Sequence, residues 1–216
     1  DRTAYGEVVL AAIGRVPNTD ADWFRSSGLK LDERGYVTVD GYGRTNLDGV
    51  WALGDITPGH ALAHRAFEQG ITIAEKIAGA DPKPVLDDTV PQVVFSFPEA
   101  ASVGLTLDQA KAREDVVEPK ETAYPMLSNA RMLMSGEGGS MTVVSGAFAN
   151  NPDMQVVLGV HIVSPIASDL IAEAEQLVGN RVPLADAARL IHPHPTFSET
   201  LGEALLKADG RPLHTR

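Results

Sequence analysis

Hydrophobic and polar positions divide this chain into two stretches of different rhythm. In the first, apolar runs are short and separated by turns. Glu7-Val8-Val9-Leu10-Ala11-Ala12-Ile13-Gly14 is apolar almost throughout, the pattern of a strand buried on both faces of a parallel sheet. Arg15-Val16-Pro17-Asn18 closes it as a turn. Such a strand needs neighbours, so the run reads as the last strand of a domain whose other strands lie upstream, and the chain as a piece of a longer polypeptide. Gly35-Tyr36-Val37-Thr38-Val39-Asp40 alternates as a strand, and Gly49-Val50-Trp51-Ala52-Leu53-Gly54-Asp55 is a second apolar strand that ends in an acid. A helix is expected from about His60 to Ala78, with Leu62, Ala66, Phe67, Ile71, Ala74 and Ile77 at mostly helical spacing.

Gly79-Ala80-Asp81-Pro82-Lys83-Pro84 reads as a linker, and the rhythm then changes, which places a domain boundary near residue 88. Pro91 to Ser96 opens the second unit as a strand. Thr106 is expected to cap a helix through Arg113, and Val117 to Tyr124 to run extended. Ser140 to Phe148 and Gln155 to Val163 form an antiparallel hairpin about an Asn150-Asn151-Pro152-Asp153 turn. Ser164-Pro165 then caps a helix whose buried face carries Ile166, Leu170, Ile171, Ala174, Leu177 and Val178. Strands and helices segregated in this way give an α+β fold. Helices on one sheet face leave the other in need of a partner, and a subunit interface is the expectation.

Composition narrows the partners. The chain has 216 residues, 44% of them hydrophobic, which is ordinary for a folded globular protein. Eighteen basic and 29 acidic residues give a net charge of −11, which argues against nucleic acid and against an anionic membrane surface. No apolar run approaches the roughly eighteen residues that span a bilayer, and the first residues lack a secretory pattern, so a cytoplasmic location is the expectation. There is no cysteine, hence neither a disulfide framework nor a thiolate metal site, and no metal is expected.

Two places carry candidate chemistry. Asp55, at the carboxyl end of a strand, stands on the side of an α/β sheet where ligands bind, positioned to accept hydrogen bonds from ribose-like hydroxyls. A turn or cap role before Pro58-Gly59 is equally consistent with its surroundings. The helix that follows would aim its positive end at whatever Asp55 holds, and His64, near its start, reads as a packing or ligand-contact residue. The second place is His192-Pro193-His194-Pro195-Thr196-Phe197-Ser198-Glu199. Prolines on both sides of His194 restrict its backbone, and a carboxylate five residues on can hold one ring nitrogen protonated and leave the other as a base. Thr196-Phe197-Ser198-Glu199 is also a capping box, with Thr196 as the cap and Glu199 reaching back to its N–H. One oxygen of Glu199 for the backbone and one for the imidazole satisfies both readings.

Ala12-Ile13-Gly14-Arg15-Val16-Pro17-Asn18, then Gly49 to Asp55, Leu62-Ala63-His64, Phe97-Pro98-Glu99-Ala100-Ala101-Ser102-Val103-Gly104 and finally His192 to Glu199 resemble, in order, the C-terminal half of the pyridine nucleotide–disulfide oxidoreductases, and most closely their dihydrolipoamide dehydrogenase branch. The likeness runs from about residue 7 to residue 206. It implies three regions: the tail of an NAD-binding domain at 1–20, a central FAD-contacting region at 21–88, and a dimerisation or interface domain at 89–216, an antiparallel sheet with flanking helices. It also implies that Asp55 binds the ribityl chain of FAD, that Ala61, Leu62, Ala63 and His64 lie against the flavin, and that Gly14 lies near the nicotinamide nucleotide, NAD. His194 matches the family's base toward the dithiol, and Glu199 the carboxylate that orients it. In such enzymes the histidine serves the other subunit, so a homodimer is implied, acting on a dihydrolipoyl group borne by a carrier domain.

Neither a G-x-G-x-x-G loop nor the family's cysteine pair is present, so the chain alone is expected to be inactive. Pro193 stands where relatives commonly have a small residue, and Met132-Leu133-Met134 where they are more polar. Besides the lipoamide reading, a related disulfide or quinone reductase and a non-catalytic dimerisation module remain open. The second predicts the same fold; the third predicts self-association without flavin.

Overall fold

The computed structural model describes residues 3–215, which form two compact units divided between Val85 and Leu86. In the first unit the strand expected at residues 7–14 does not form. Val8, Val9, Leu10 and Ile13 are at least 86% exposed, and no ladder pairs with them among the described residues. An apolar run without a neighbouring strand has no partner for its backbone groups and stays irregular.

The strands expected at 35–40 and 49–55 are likewise reduced to isolated bridges, Leu31 to Val37 and Arg44 to Trp51. Two aspartates compete for the backbone there. Asp32 Oδ1 accepts the N–H groups of Arg34 and Tyr36, and Asp40 Oδ1 those of Tyr42 and Arg44. Tight aspartate turns thus satisfy locally what a ladder would have satisfied at long range.

Two helices belong to this unit. Helix α1 (Asp22–Ser27) buries Phe24 and stops at Gly28, whose φ of 81° is left-handed. Helix α2 (Ala63–Ile77) has Leu62 at its N-cap and no side-chain cap. Its expected apolar face is not its buried one: Phe67, Ile71 and Ile77 are exposed, while Arg65, Thr72 and Ile73 are buried. The turns of this unit pack the opposite edge of the helix, as at Gly43, where a Cβ would come within 2.7 Å of Ile73 Cδ1.

The second unit is a five-stranded antiparallel sheet in the order β1-β2-β5-β4-β3, built from β1 (Gln92–Val94), β2 (Glu99–Gly104), β3 (Val116–Pro125), β4 (Ser140–Phe148) and β5 (Asn151–Ser164). The β4–β5 hairpin turns earlier than Asn150–Asp153 suggests, since β5 already begins at Asn151 and Phe148 pairs with it. Helix α3 (Leu107–Ala112) carries a full capping box between Thr106 and Gln109.

Helix α4 (Ala130–Ser135) is capped by Asn129. It explains half of the methionine-rich run, because Met132 enters the core while Leu133 and Met134 are exposed. Helix α5 (Ala167–Gly179) starts after Ile166 and has no side-chain cap; the Ser164 hydroxyl instead accepts the Ile166 N–H. Its buried face is Ala167, Leu170, Ile171, Ala174, Leu177 and Val178, one residue different from the expected stripe. Helices α6 (Leu184–Ala187) and α7 (Glu199–Ala208) complete the layer.

Alternation sorts the sheet. Ala101, Val103, Met141, Val143, Val160 and Ile162 point into one core with α5, α6 and α7, while Val144, Val156 and Leu158 form a smaller core with Ala110 of α3. Toward the other end that second face presents small or polar residues, with Ala100 opposite Val163, Ser102 opposite His161 and Thr142 opposite His161. Val94 and Val163 on it are exposed. Among the described residues, no helix is long and apolar enough to cross a membrane.

Candidate functional site

The loop between α6 and α7 displays one imidazole and buries another. The His194 side chain is 72% exposed, and that of His192 is 9% exposed. Two prolines set φ on either side of His194, and the His194–Pro195 peptide is cis. Phe197 anchors the far end of the loop by packing against the main core, with the Arg131 guanidinium 5.4 Å over its ring.

Glu199 is the first residue of α7. Its Oε1 lies 2.8 Å from His194 Nδ1, and its Oε2 accepts the Thr196 N–H at 2.7 Å. The carboxylate therefore divides its two oxygens as the sequence suggests. The rest of the expected capping box is absent: Ser198 holds the N-cap position without a side-chain bond. The Thr196 hydroxyl donates to Pro193 O at 2.6 Å and lies 2.9 Å from Ser198 Oγ. Thr196 thus ties the loop to itself instead of capping the helix.

Burial acts to raise the Glu199 carboxyl, but the Thr196 N–H, the hydrogen bond to His194 and the nearby imidazole charges outweigh it and hold it below the usual carboxylate range. The start of a helix adds to this preference for a negative charge. A carboxylate only accepts, so His194 must donate its Nδ1–H. Nε2 then carries the lone pair, and no described residue hydrogen-bonds to it. The arrangement is an exposed base whose tautomer is set by a half-sheltered acid.

Three features of this site lie outside the sequence reading. His192 Nε2 is 2.8 Å from Glu173 Oε1 on α5. Asn129 donates its amide to Thr196 O at 3.1 Å. Tyr124 lies fully buried, its hydroxyl without a partner among the described residues. Burial first, and then the charges of Glu203 and Glu199, push that phenol up to about 12, so it stays neutral at physiological pH. The two hydrogen bonds join residues far apart in sequence. Only the asparagine could have been flagged, as a cap preceding a helical stretch.

The remaining expected site residues belong to the first unit. Asp55 is exposed in a short 3-10 turn, Gly54–Ile56. The turn is braced where Gln69 Oε1 of α2 accepts the Gly54 N–H at 2.9 Å. Ala61, Leu62, Ala63 and His64 lead into α2; Ala61, Ala63 and His64 are exposed and Leu62 half-buried. A free acceptor carboxylate beside a helix start without a side-chain cap suits a hydroxylated, electron-rich ligand. Gly14 is exposed at φ 136°, and no atom lies within 4 Å of where a Cβ would stand. Among the described residues no group of three or more histidine, cysteine or acidic side chains could hold a metal.

Comparison with known proteins gives consistent matches. Residues 90–205 match the dimerisation domain of the pyridine nucleotide-disulphide oxidoreductases, and residues 2–70 match the pyridine nucleotide-disulphide oxidoreductase model. The chain is 40% identical over 208 residues to dihydrolipoyl dehydrogenase of Cupriavidus necator, covering 95% of this chain and 42% of that protein. To dihydrolipoyl dehydrogenase of Geobacillus stearothermophilus it is 39% identical, covering 99% and 44%. Among solved structures, LpdA from Mycobacterium tuberculosis superposes with a TM-score of 0.80 at 31% identity, over 91% of this chain and 42% of that one. The chain spans less than half the length of the curated relatives it matches.

Proposed function

The chain belongs to the pyridine nucleotide-disulphide oxidoreductase family, and on that premise we propose that the whole protein oxidises a dihydrolipoyl dithiol to its disulfide with NAD⁺ as the final acceptor. In that reaction the dithiol loses two electrons and two protons; NAD⁺ takes both electrons and one proton, and the other proton leaves. FAD, when bound, carries the electron pair between them. The chain contains no cysteine, so the disulfide that first accepts the electrons is supplied by residues outside this sequence.

His194 takes the proton of the substrate thiol at Nε2. A thiolate, not a thiol, is the nucleophile in disulfide exchange. Glu199 keeps the Nδ1–H and stabilises the imidazolium that forms. Asp55 and the 61–64 segment would hold the flavin, the carboxylate as an acceptor for hydroxyls and the helix start as a positive end that favours an electron-rich ring, and Gly14 would contribute to the NAD site. The observation that carries the reading is the 2.8 Å contact between His194 Nδ1 and Glu199 Oε1 with the other ring nitrogen presented to solvent.

The protein acts as a homodimer, in which the small-residue end of the outer sheet face meets its counterpart and each His194 serves the neighbouring subunit. The substrate is a dihydrolipoyl group on a carrier domain, and the protein works in the cytoplasm. By itself the 216-residue chain is a dimerisation module without turnover.

In the whole protein, His194→Gln is expected to lower dihydrolipoamide turnover on the order of 10²–10⁴-fold, the usual size of general-base catalysis. Turnover equal to wild type would remove the proposal.

A further inference from the structure

His192 sits two residues before the exposed imidazole and makes contacts of a different kind. Its Nε2 lies 2.8 Å from Glu173 Oε1, and because the carboxylate only accepts, Nε2–H is the donor. Its ring also lies directly against α7: a Cβ built on Gly202 would come within 2.6 Å of His192 Nδ1 and 2.9 Å of Cε1. The ring thus occupies space that only a glycine at 202 leaves open, and it is bound on its other nitrogen by α5.

We propose that Glu173, His192 and Gly202 form a seat that positions the loop bearing His194, so that the aim of the exposed imidazole is set from α5 and α7 as well as by Glu199. The inference rests on the reading of His194 as the base and names the residues that place it.

The link from seat to base is short and stiff. His192 is fixed by α5 and α7. Pro193 follows, with its φ restrained by the ring and its carbonyl tied to the Thr196 hydroxyl at 2.6 Å. His194 comes next, and Asn129 holds Thr196 O from below. Only Pro193 stands between the buried imidazole and the displayed one, with its φ fixed by the ring and its carbonyl held by Thr196, so a shift of the first is passed over two peptide units to the second. A misplacement of about 1 Å at a reacting group costs on the order of 10² in rate.

The charges facing His192 fit the same role. The Glu173 hydrogen bond raises its pKa against the effect of burial, helped by the Glu173 charge, the Leu190 backbone and the Glu199 charge. Glu173 faces it from α5 and Glu199 from the start of α7, both acidic, so a positive ring is favoured in this seat.

Glu173→Ala removes the acceptor, and Gly202→Ala displaces the ring while leaving every hydrogen-bonding group in place. Both introduce alanine into helices, where its propensity is the highest, so neither effect would come from a weakened helix. ¹⁵N imidazole spectra of the chain should show His194 as the Nδ1–H tautomer in the wild type and as a mixture of tautomers in both variants. In the whole protein both variants should lose about tenfold in dihydrolipoamide kcat with the KM for NAD⁺ unchanged, and Glu173→Gln, which still accepts from Nε2–H, should restore most of it. Wild-type tautomer and kcat in both variants would overturn the seat while leaving the His194 assignment to its own substitution. A His194→Gln protein with full activity would instead remove the base, and the tautomer spectra would still report on the seat.

Discussion

Asn129 and Thr196, 67 residues apart in sequence, are joined where the asparagine amide donates to the threonine carbonyl at 3.1 Å. The same asparagine caps α4 through Oδ1, which accepts the Met132 N–H. One buried side chain therefore starts a helix and holds down the loop that carries His194. Asn129→Ala should cost about 1–2 kcal/mol, a lost cap plus a carbonyl deprived of its donor, read as a lower urea midpoint with unchanged slope.

Asn129→Asp separates the two functions. The carboxylate can still cap α4 but faces Thr196 O with an acceptor where a donor stood. Stability should fall at least as far as in the alanine variant, because a buried carboxylate then faces a carbonyl with no proton between them, and amide exchange across residues 194–198 should become faster. Equal exchange in wild type and Asn129→Asp would show that the amide does not restrain the loop.

Much of the second unit was legible because its information is local and periodic. Alternation in Ser140–Phe148 and the stripe Leu170, Ile171, Ala174, Leu177, Val178 report burial directly, and the i to i+5 spacing of His194 and Glu199 brings acid and imidazole together within a single loop. The first unit misled for a physical reason. Val8 to Ile13 has the composition of a buried strand, but composition supplies no partner, and a strand is a property of a pair. Asp32 and Asp40 cut the alternation at 35–40 short from either end, Asp32 by taking the Tyr36 N–H and Asp40 by closing a turn on the N–H groups of Tyr42 and Arg44. Glu173 and Gly202 were not legible at all, and of Asn129 only its place as a cap was open to reading: their importance lies in contacts between elements, which nothing near them in sequence announces.

Gly104 and Gly159 face each other across β2 and β5, and the backbones there approach too closely for any side chain. A Cβ on Gly104 would fall 2.2 Å from Leu158 O, in a residue already at φ 80°; one on Gly159 would fall 2.2 Å from Leu105 O. Backbone cannot swing aside as a side chain can. Gly104→Ala and Gly159→Ala should each destabilise by about 3 kcal/mol or more. Gly136, also left-handed at φ 70° but with open space around it, should cost about 1 kcal/mol when changed to alanine, the conformational part alone. Equal losses at 104 and 136 would contradict the close approach. Thermal and urea unfolding of the three variants decide it.

The pH dependence of stability should have two limbs with opposite signs around the loop. Glu199 is held below its ordinary value in the fold, so its contribution is complete above about pH 4.3 and is lost as the pH falls toward the folded value, because the unfolded chain takes up the proton first. His192 is raised, so its contribution is complete below about pH 6.5 and is lost as the pH rises through the folded value, because the unfolded chain releases the proton first. Glu173→Gln removes the charge that faces His192 from α5 and should flatten only the upper limb. Glu199→Gln should flatten the lower limb chiefly, and the upper one slightly, since its charge also reaches His192. Urea midpoints measured from acid to mildly alkaline pH test the assignment, and an upper limb of the same slope in wild type and Glu173→Gln would show that the buried imidazole is not held by that carboxylate.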